Sequence, residues 1–382
     1  MDSKARVKAA LNHEVPDRIP FGEFAIDFDT VERTLGHETY VRAKAKSQIA
    51  FWEGRRDEVV QSWKEDGVAL FRELDFLDII LVNALSFGRV PPADYDPDPP
   101  RRLDESTWED REGRILKLSE ATMDITVIHD PKMWVREYRL EDYYEEPDVT
   151  PPDPSVFEVV DHLIEAFRDD RYILGGSGHN VGMVMLGEME RALVEYMVNP
   201  DVVKAAGAYY YKQGVAEDQY LIRDGQDGVI WGQDYGYKTG PLISPEMFAE
   251  FVVPLTKKRV QDINTNYGMP VWQHACGNNW ALLDMFVEMG FACYQSIQPT
   301  ADMDIRKVKR QYGDKLCLWG GIPVEHLVDG TPEDIRRDVA HAVESAKDGG
   351  GYIFGSSHSI AVGTKYDNFM TMIDEFLRVR DY

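Results

Sequence analysis

The chain has 382 residues, 43% of them hydrophobic, a formal net charge of −25 and three cysteines. That length and hydrophobic share can bury a large core, which excludes a disordered chain, and the acidity argues against nucleic acid or an anionic membrane surface as partner, because both need basic patches. No apolar run nears the roughly 20 residues of a membrane span, Met1-Asp2-Ser3-Lys4-Ala5-Arg6 lacks a signal peptide's apolar stretch, and three scattered cysteines make no disulfide framework, so a cytoplasmic location is expected.

Eight short apolar or β-branched runs follow in chain order: 18–24, 77–82, 171–175, 228–233, 270–274, 292–297, 316–320 and 351–355. Residues 39–68 read as helices between the first two runs. A long insertion at about 86–153, rich in Pro, Asp and Arg, separates the second run from the third. Within it Arg111-Glu112-Gly113-Arg114 reads as a turn between strands at 105–110 and 115–118. From 170 onward helical patterns alternate with the strands, at 183–198, 201–224, 245–267, 279–289, 303–312, 332–347 and 366–379. Ser244-Pro245-Glu246 and Thr331-Pro332-Glu333 are helix starts, with a hydroxyl cap and proline at the first helical position. Strands alternating with helices imply parallel strands and right-handed crossovers. Eight such units predict an α/β fold, a (β/α)8 TIM barrel with N-terminal helices, in a single domain 1–382; an open doubly wound sheet is the alternative. The insertion lies outside the ring, as a lid, a partner or homodimer surface, or a passive decoration.

The most informative stretch is Trp272-Gln273-His274-Ala275-Cys276-Gly277. On a strand, His274 and Cys276 share a face, because side chains alternate with period two. An imidazole and a thiol on one face, followed by a glycine turn, suit zinc; the bland reading is a core histidine beside a buried cysteine. A barrel builds its site at the C-terminal strand ends. These carry Glu23; Ser177, His179 and Asn180; Asp234, Tyr235 and Tyr237; His274 and Cys276; Gln295 and Gln298; Trp319; and Ser356, Ser357 and His358, with Asp78 inside the second strand. Asp234, His274, Cys276 and His358 are therefore the candidates to converge on a metal, Asp234 serving alternatively as an orienting partner or a base. Cys293, Cys317, Trp231 and Trp272 read as packing, and His326 and His341 as surface residues. Tyr235 and Tyr237 follow the strand and are read as pocket walls. Lys238 is the nearest cation. A metal among aromatic walls with little positive charge fits a small, weakly charged, aromatic substrate.

Arg6…Ala9-Ala10-Leu11-Asn12-His13, Pro16-Asp17-Arg18-Ile19-Pro20, Ser244-Pro245-Glu246, His274-Ala275-Cys276-Gly277, Gly320-Gly321-Ile322 and Gly350-Gly351-Tyr352-Ile353 with Asp367-Asn368 also carry a family likeness. Over nearly its whole length the chain resembles the uroporphyrinogen decarboxylase-like superfamily, and within it the cobalamin-dependent (corrinoid) methyltransferase branch. The arginine-rich segment with which true decarboxylases grip substrate carboxylates is absent from residues 21–27. The resemblance implies Zn²⁺ on His274 and Cys276, with His358 where the branch carries a cysteine. It also implies cobalamin on a separate corrinoid protein. The expected activity is O-demethylation of a methoxylated aromatic, its methyl group passing to Co(I). Asp234 or Tyr235 would assist proton delivery, and Glu23, His179, Asn180, Tyr237 and Trp319 would contact substrate. The alternatives are thiol methylation, which calls for a basic residue that the sequence does not offer near the pocket; decarboxylation by Asp78 or Asp234; and a non-catalytic binding barrel.

Overall fold

A computed structural model describes residues 1–382. Its main sheet has seven parallel strands in the order β1-β6-β7-β10-β11-β12-β13: Ile79–Leu81, Tyr172–Gly175, Gly228–Gly232, Val271–His274, Cys293–Ser296, Cys317–Gly320 and Tyr352–Ile353. Each falls on one of the expected runs. The run at 18–24 forms no ladder, yet it closes the ring. Gly22 N–H donates to the Phe354 carbonyl (3.1 Å) and Phe354 N–H to the Pro20 carbonyl (2.9 Å), while Asp78 N–H donates to the Phe21 carbonyl (2.8 Å). The two edge strands are thus joined through residues 20–22. Pro16 and Pro20 carry no backbone donor, which limits this segment to isolated bridges. The result is the expected barrel.

Alternate side chains fill the barrel interior. Ile79 and Leu81, Tyr172 and Leu174, Trp272, Cys293, Cys317 and Trp319 belong to one buried inner cluster, while the opposite faces join a 68-residue shell under the helices. Cys293, Cys317, Trp231 and Trp272 are all buried, as expected. Asp78 lies just before β1, at the N-terminal end of the barrel. Ser3, Arg6, Arg18 and the Phe21 N–H all donate to its carboxylate, beneath the helix Ser3–Leu11. This is the face that holds a barrel together, not the one that reacts; the expectation of Asp78 as a decarboxylating base is corrected accordingly.

The helices depart from the sequence pattern at two places. The segment 245–267 divides into Pro245–Phe251 and Val253–Tyr267. Pro254 cannot supply the N–H that a continuous helix needs there. The helix expected from 183 begins at Met189, because Val181, Gly182 and Gly187 take positive φ of 67°, 53° and 90° and keep the preceding loop irregular. The expected helical segment 39–68 forms the helices Lys44–Trp52 and Arg56–Glu73, the second running beyond residue 68. The insertion folds as a four-stranded antiparallel sheet, β2 Arg101–Arg102, β3 Thr107–Glu109, β4 Ile115–Ser119 and β5 Asp124–His129. Its central hairpin is the one expected, and β2 and β5 extend it. It docks on the helix Lys44–Trp52, where Trp52 meets Trp108 at 5.6 Å and Ala45 N–H bonds the Met123 carbonyl at 3.1 Å. A last hairpin, β8 Gly236–Tyr237 and β9 Gly240–Pro241, follows the fourth barrel position. No helix is long and apolar enough to cross a membrane.

Candidate metal and substrate site

His274 ends β10, and Cys276 follows two residues later on the same side. Gly277 then turns the chain at φ 83°, where a Cβ would lie 2.4 Å from the Gly236 carbonyl oxygen. His358 reaches them from the loop after β13. The ligand atoms of His274, Cys276 and His358 all lie within 4.8 Å of one another. Zinc bonds of about 2.0–2.3 Å in a tetrahedron place ligands roughly 3.3–3.8 Å apart, so small side-chain shifts bring this donor set to a zinc ion. Imidazole and thiolate are also the donor types that zinc prefers.

The surroundings prepare each donor. His274 Nδ1 donates to Gln295 Oε1, its partner in register on β11, which leaves the Nε2 lone pair free. Gln295 Nε2 in turn donates to the Ser356 carbonyl at 3.1 Å, so one amide ties the β10 ligand to the loop of His358. Phe24 stacks on the His274 ring at 4.0 Å, and the two imidazoles sit at 5.3 Å. Burial, then His358, pushes His274 down to about 4; burial also lowers His358. Both rings are neutral near pH 7, the state that binds metal. Burial, then the Asp234 charge, raises the Cys276 thiol, so it keeps its proton until a cation replaces it. Burial alone would raise Asp234, but His274 and the Cys276 amide outweigh it and hold the carboxylate below its ordinary range. Asp234 Oδ1 accepts the Cys276 N–H at 2.9 Å and lies 3.8 Å from His274 Nε2. Beside Cys276 opens a cavity of about 370 Å³ whose walls include Tyr237, Lys238, Gln298, Thr300 and Glu325.

Comparison with known proteins gives the family and the fold. The profile of the family described as Uroporphyrinogen decarboxylase (URO-D) matches residues 144–378, more than half of the chain. The chain belongs to the URO-D family. A uroporphyrinogen decarboxylase of Pseudoalteromonas translucida (strain TAC 125) is 26% identical over 151 residues, 36% of this chain and 39% of that one; the chain thus spans well under half the length of this relative. A solved methyltransferase from Methanosarcina mazei superimposes with a TM-score of 0.64 over 99% of both chains at 16% identity, a likeness of fold.

Other expected residues of this URO-D barrel take different places. Tyr235 is packed against Phe248 and Phe286, its buried hydroxyl unpartnered, and it forms no part of the cavity wall. Trp319 is fully buried and donates to the Gly22 carbonyl at 2.9 Å, inside the barrel below the site. Substrate contact by Trp319 and proton delivery by Tyr235 are corrected on these grounds. Tyr237, by contrast, is 58% exposed and lines the cavity. His179 stacks on Tyr210 at 4.7 Å, and its Nδ1 accepts the Val181 N–H, so its ring serves the loop. Asn180 beside it is half-buried. Glu23 is buried and spends its contacts on Ser356, and burial pushes it up to about 8. Ser356 Oγ reaches both Glu23 and the His358 carbonyl. One hydroxyl proton serves a single acceptor, so the protonated Glu23 carboxyl completes the chain by donating to Ser356. His326 and His341 pair with Asp338 and Asp304 on outer helices, as expected.

Sequence reasoning missed Arg42, whose positive charge acts on His358. Its guanidinium donates to Asp27, the Leu85 carbonyl and Ser359. No motif marks it, since it comes from a loop between N-terminal helices. It lies near His358 but outside the cavity walls, and Asp27 neutralises it, whereas Lys238, the cation that the sequence did offer, lines the cavity.

Proposed function

We propose that this URO-D family member is a zinc-dependent methyltransferase component, working as one domain. In this reading it demethylates a small methylated substrate, a methoxylated aromatic, and passes the methyl group to Co(I) on a separate corrinoid protein. The observation that carries the reading is the convergence of two neutral imidazoles and a thiol beside an open cavity. His274 Nε2, Cys276 Sγ and His358 are the groups that would hold the ion. When bound, zinc supplies Lewis acidity toward a substrate oxygen, which helps a phenolate leave. Cys276 gives up its thiol proton on loading. Gln295 holds the His274 ring in the tautomer that presents Nε2. Asp234, ionised at neutral pH, acts as an acceptor and not as the proton donor foreseen from sequence. Tyr237 offers its ring to an aromatic substrate at the cavity mouth.

Elemental analysis of wild type, Cys276→Ser and His358→Ala tests the site, and methylcobalamin formation from phenyl methyl ethers and Co(I) cobalamin tests the reaction. About one zinc per wild-type chain, lost or weakened in both variants, together with methylcobalamin from wild type alone, is the expected result. A metal-free wild type after incubation with zinc overturns the reading.

A further inference from the structure

The two histidines of the site are held in different ways. Gln295 fixes the His274 ring through Nδ1, and Phe24 stacks on it. In place of such a bond the His358 ring has edge contacts, with Phe24 at 6.3 Å and His274 at 5.3 Å. Its position is therefore set by the backbone of the loop that carries it.

That loop is anchored on both sides of His358. Before it, Ser357 N–H donates to the Ile322 carbonyl at 2.8 Å, and the Ser357 carbonyl accepts from Ser296 Oγ at 2.8 Å. After it, Ile360 N–H donates to the Ala25 carbonyl (2.8 Å), and Asp27 N–H donates to the Ile360 carbonyl (2.9 Å). Ser359 stands between these anchors, next to the ligand, and its buried hydroxyl accepts from Arg42 Nη2 at 3.2 Å. The same guanidinium donates through Nε to Asp27 at 2.9 Å and through Nη1 to the Leu85 carbonyl, in the segment after β1. One planar fork thus ties residues 27, 85 and 359, which lie on three segments of the C-terminal rim. Arginine supplies several directed donors in one plane, and lysine does not. The Arg42 backbone sits at φ 57°, a region that a non-glycine residue keeps only where its surroundings hold it. The turn bears this strain with the guanidinium locked onto its three acceptors.

We propose that Arg42 is a positioning residue: it holds the loop of His358 where that imidazole meets His274 and Cys276 at the ion. The inference rests on the zinc reading given above. Without the fork Ser359 loses its tether, and His358 keeps its chemistry but not its place. Arg42 touches neither ion nor substrate, and its effect passes through His358.

The test is a double-mutant cycle on zinc affinity, measured by chelator competition in wild type, Arg42→Gly, His358→Ala and the double variant. Glycine suits φ 57°, so Arg42→Gly removes the fork without straining the turn. It should weaken zinc about 10–100-fold when His358 is present and no further when His358 is absent. A general loosening of the fold weakens zinc in both backgrounds. Equal loss in both, or loss in neither, overturns the inference. Ser359→Ala keeps the Arg42–Asp27 pair and should show a smaller loss in the same direction; it replaces Arg42→Gly if that variant does not fold, and wild-type affinity in it then overturns the inference. A second readout needs no metal. Hydrogen exchange of the metal-free protein, followed by mass spectrometry, should quicken at residues 356–361 in either variant and stay unchanged at 271–276. Unchanged exchange at 356–361 overturns the inference. Where zinc binding is lost altogether, in His358→Ala or in wild type, exchange decides whether Arg42 holds the loop; its absence from wild type also ends the zinc reading.

Discussion

Gln295 holds the most leverage of any single residue, because its one amide orients His274 and anchors the loop that carries His358. Gln295→Leu keeps the volume and removes both bonds. Chelator competition should then show zinc affinity about 10–100-fold weaker, the usual cost of losing such a partner, with the thermal melt of the metal-free protein shifted far less. Glu23 offers a second handle. Its carboxyl holds its proton more tightly in the folded chain, at about 8 against an ordinary 4.5. Its contribution to stability is therefore fully present below pH 4.5 and is lost as pH rises to about 8. At about 1.4 kcal/mol for each tenfold change in proton affinity, the loss is a few kcal/mol. Urea unfolding of the chelated protein at a series of pH values should show that decline in wild type, and Glu23→Gln should flatten it. A third outcome concerns Cys276: zinc loading near pH 7 should release about one proton per chain, measured in weak buffer with an indicator, and Cys276→Ser should release none.

Among the elements, the loop between β6 and the helix Met189–Val198 is the most heavily restrained. Asp218 accepts the Gly178 N–H and pairs with Arg259, whose Nε also donates to the His179 carbonyl; both charged groups are buried. Gln233 Oε1 accepts the Met183 N–H at 2.7 Å further along. Val181, a β-branched residue at φ 67°, keeps its strained backbone inside this clamp. Asp218→Asn leaves the Arg259 charge buried and short of its partner. It should cost about 3–5 kcal/mol by urea titration. The strands and the meeting of the His-x-Cys pair with His358 were legible in the sequence, because period-two alternation and the rule of C-terminal strand ends are local and general. The break at Pro254, the late start at Met189 and the burial of Tyr235 were not. Each depends on which way a residue faces after a turn, and a turn's direction is set by contacts with distant segments. Arg42 was invisible for the same reason: its placement needs the N-terminal helices, Asp27 and the β13 loop at once.

For the molecule as a whole, the ring is closed by its least regular member. Seven strands are laddered, and the eighth position is filled by residues 20–22, which join β13 and β1 through a few backbone bonds. Removing residues 1–24 would bare two parallel edges that face each other. Open edges seek partners. Light scattering should therefore find a truncated chain in concentration-dependent associates, where the full chain keeps its mass on dilution. The same segment precedes all seven laddered strands in the chain. Two copies could trade it, each stitching the other's barrel shut, so that a closed ring would carry its own route to an exchanged dimer.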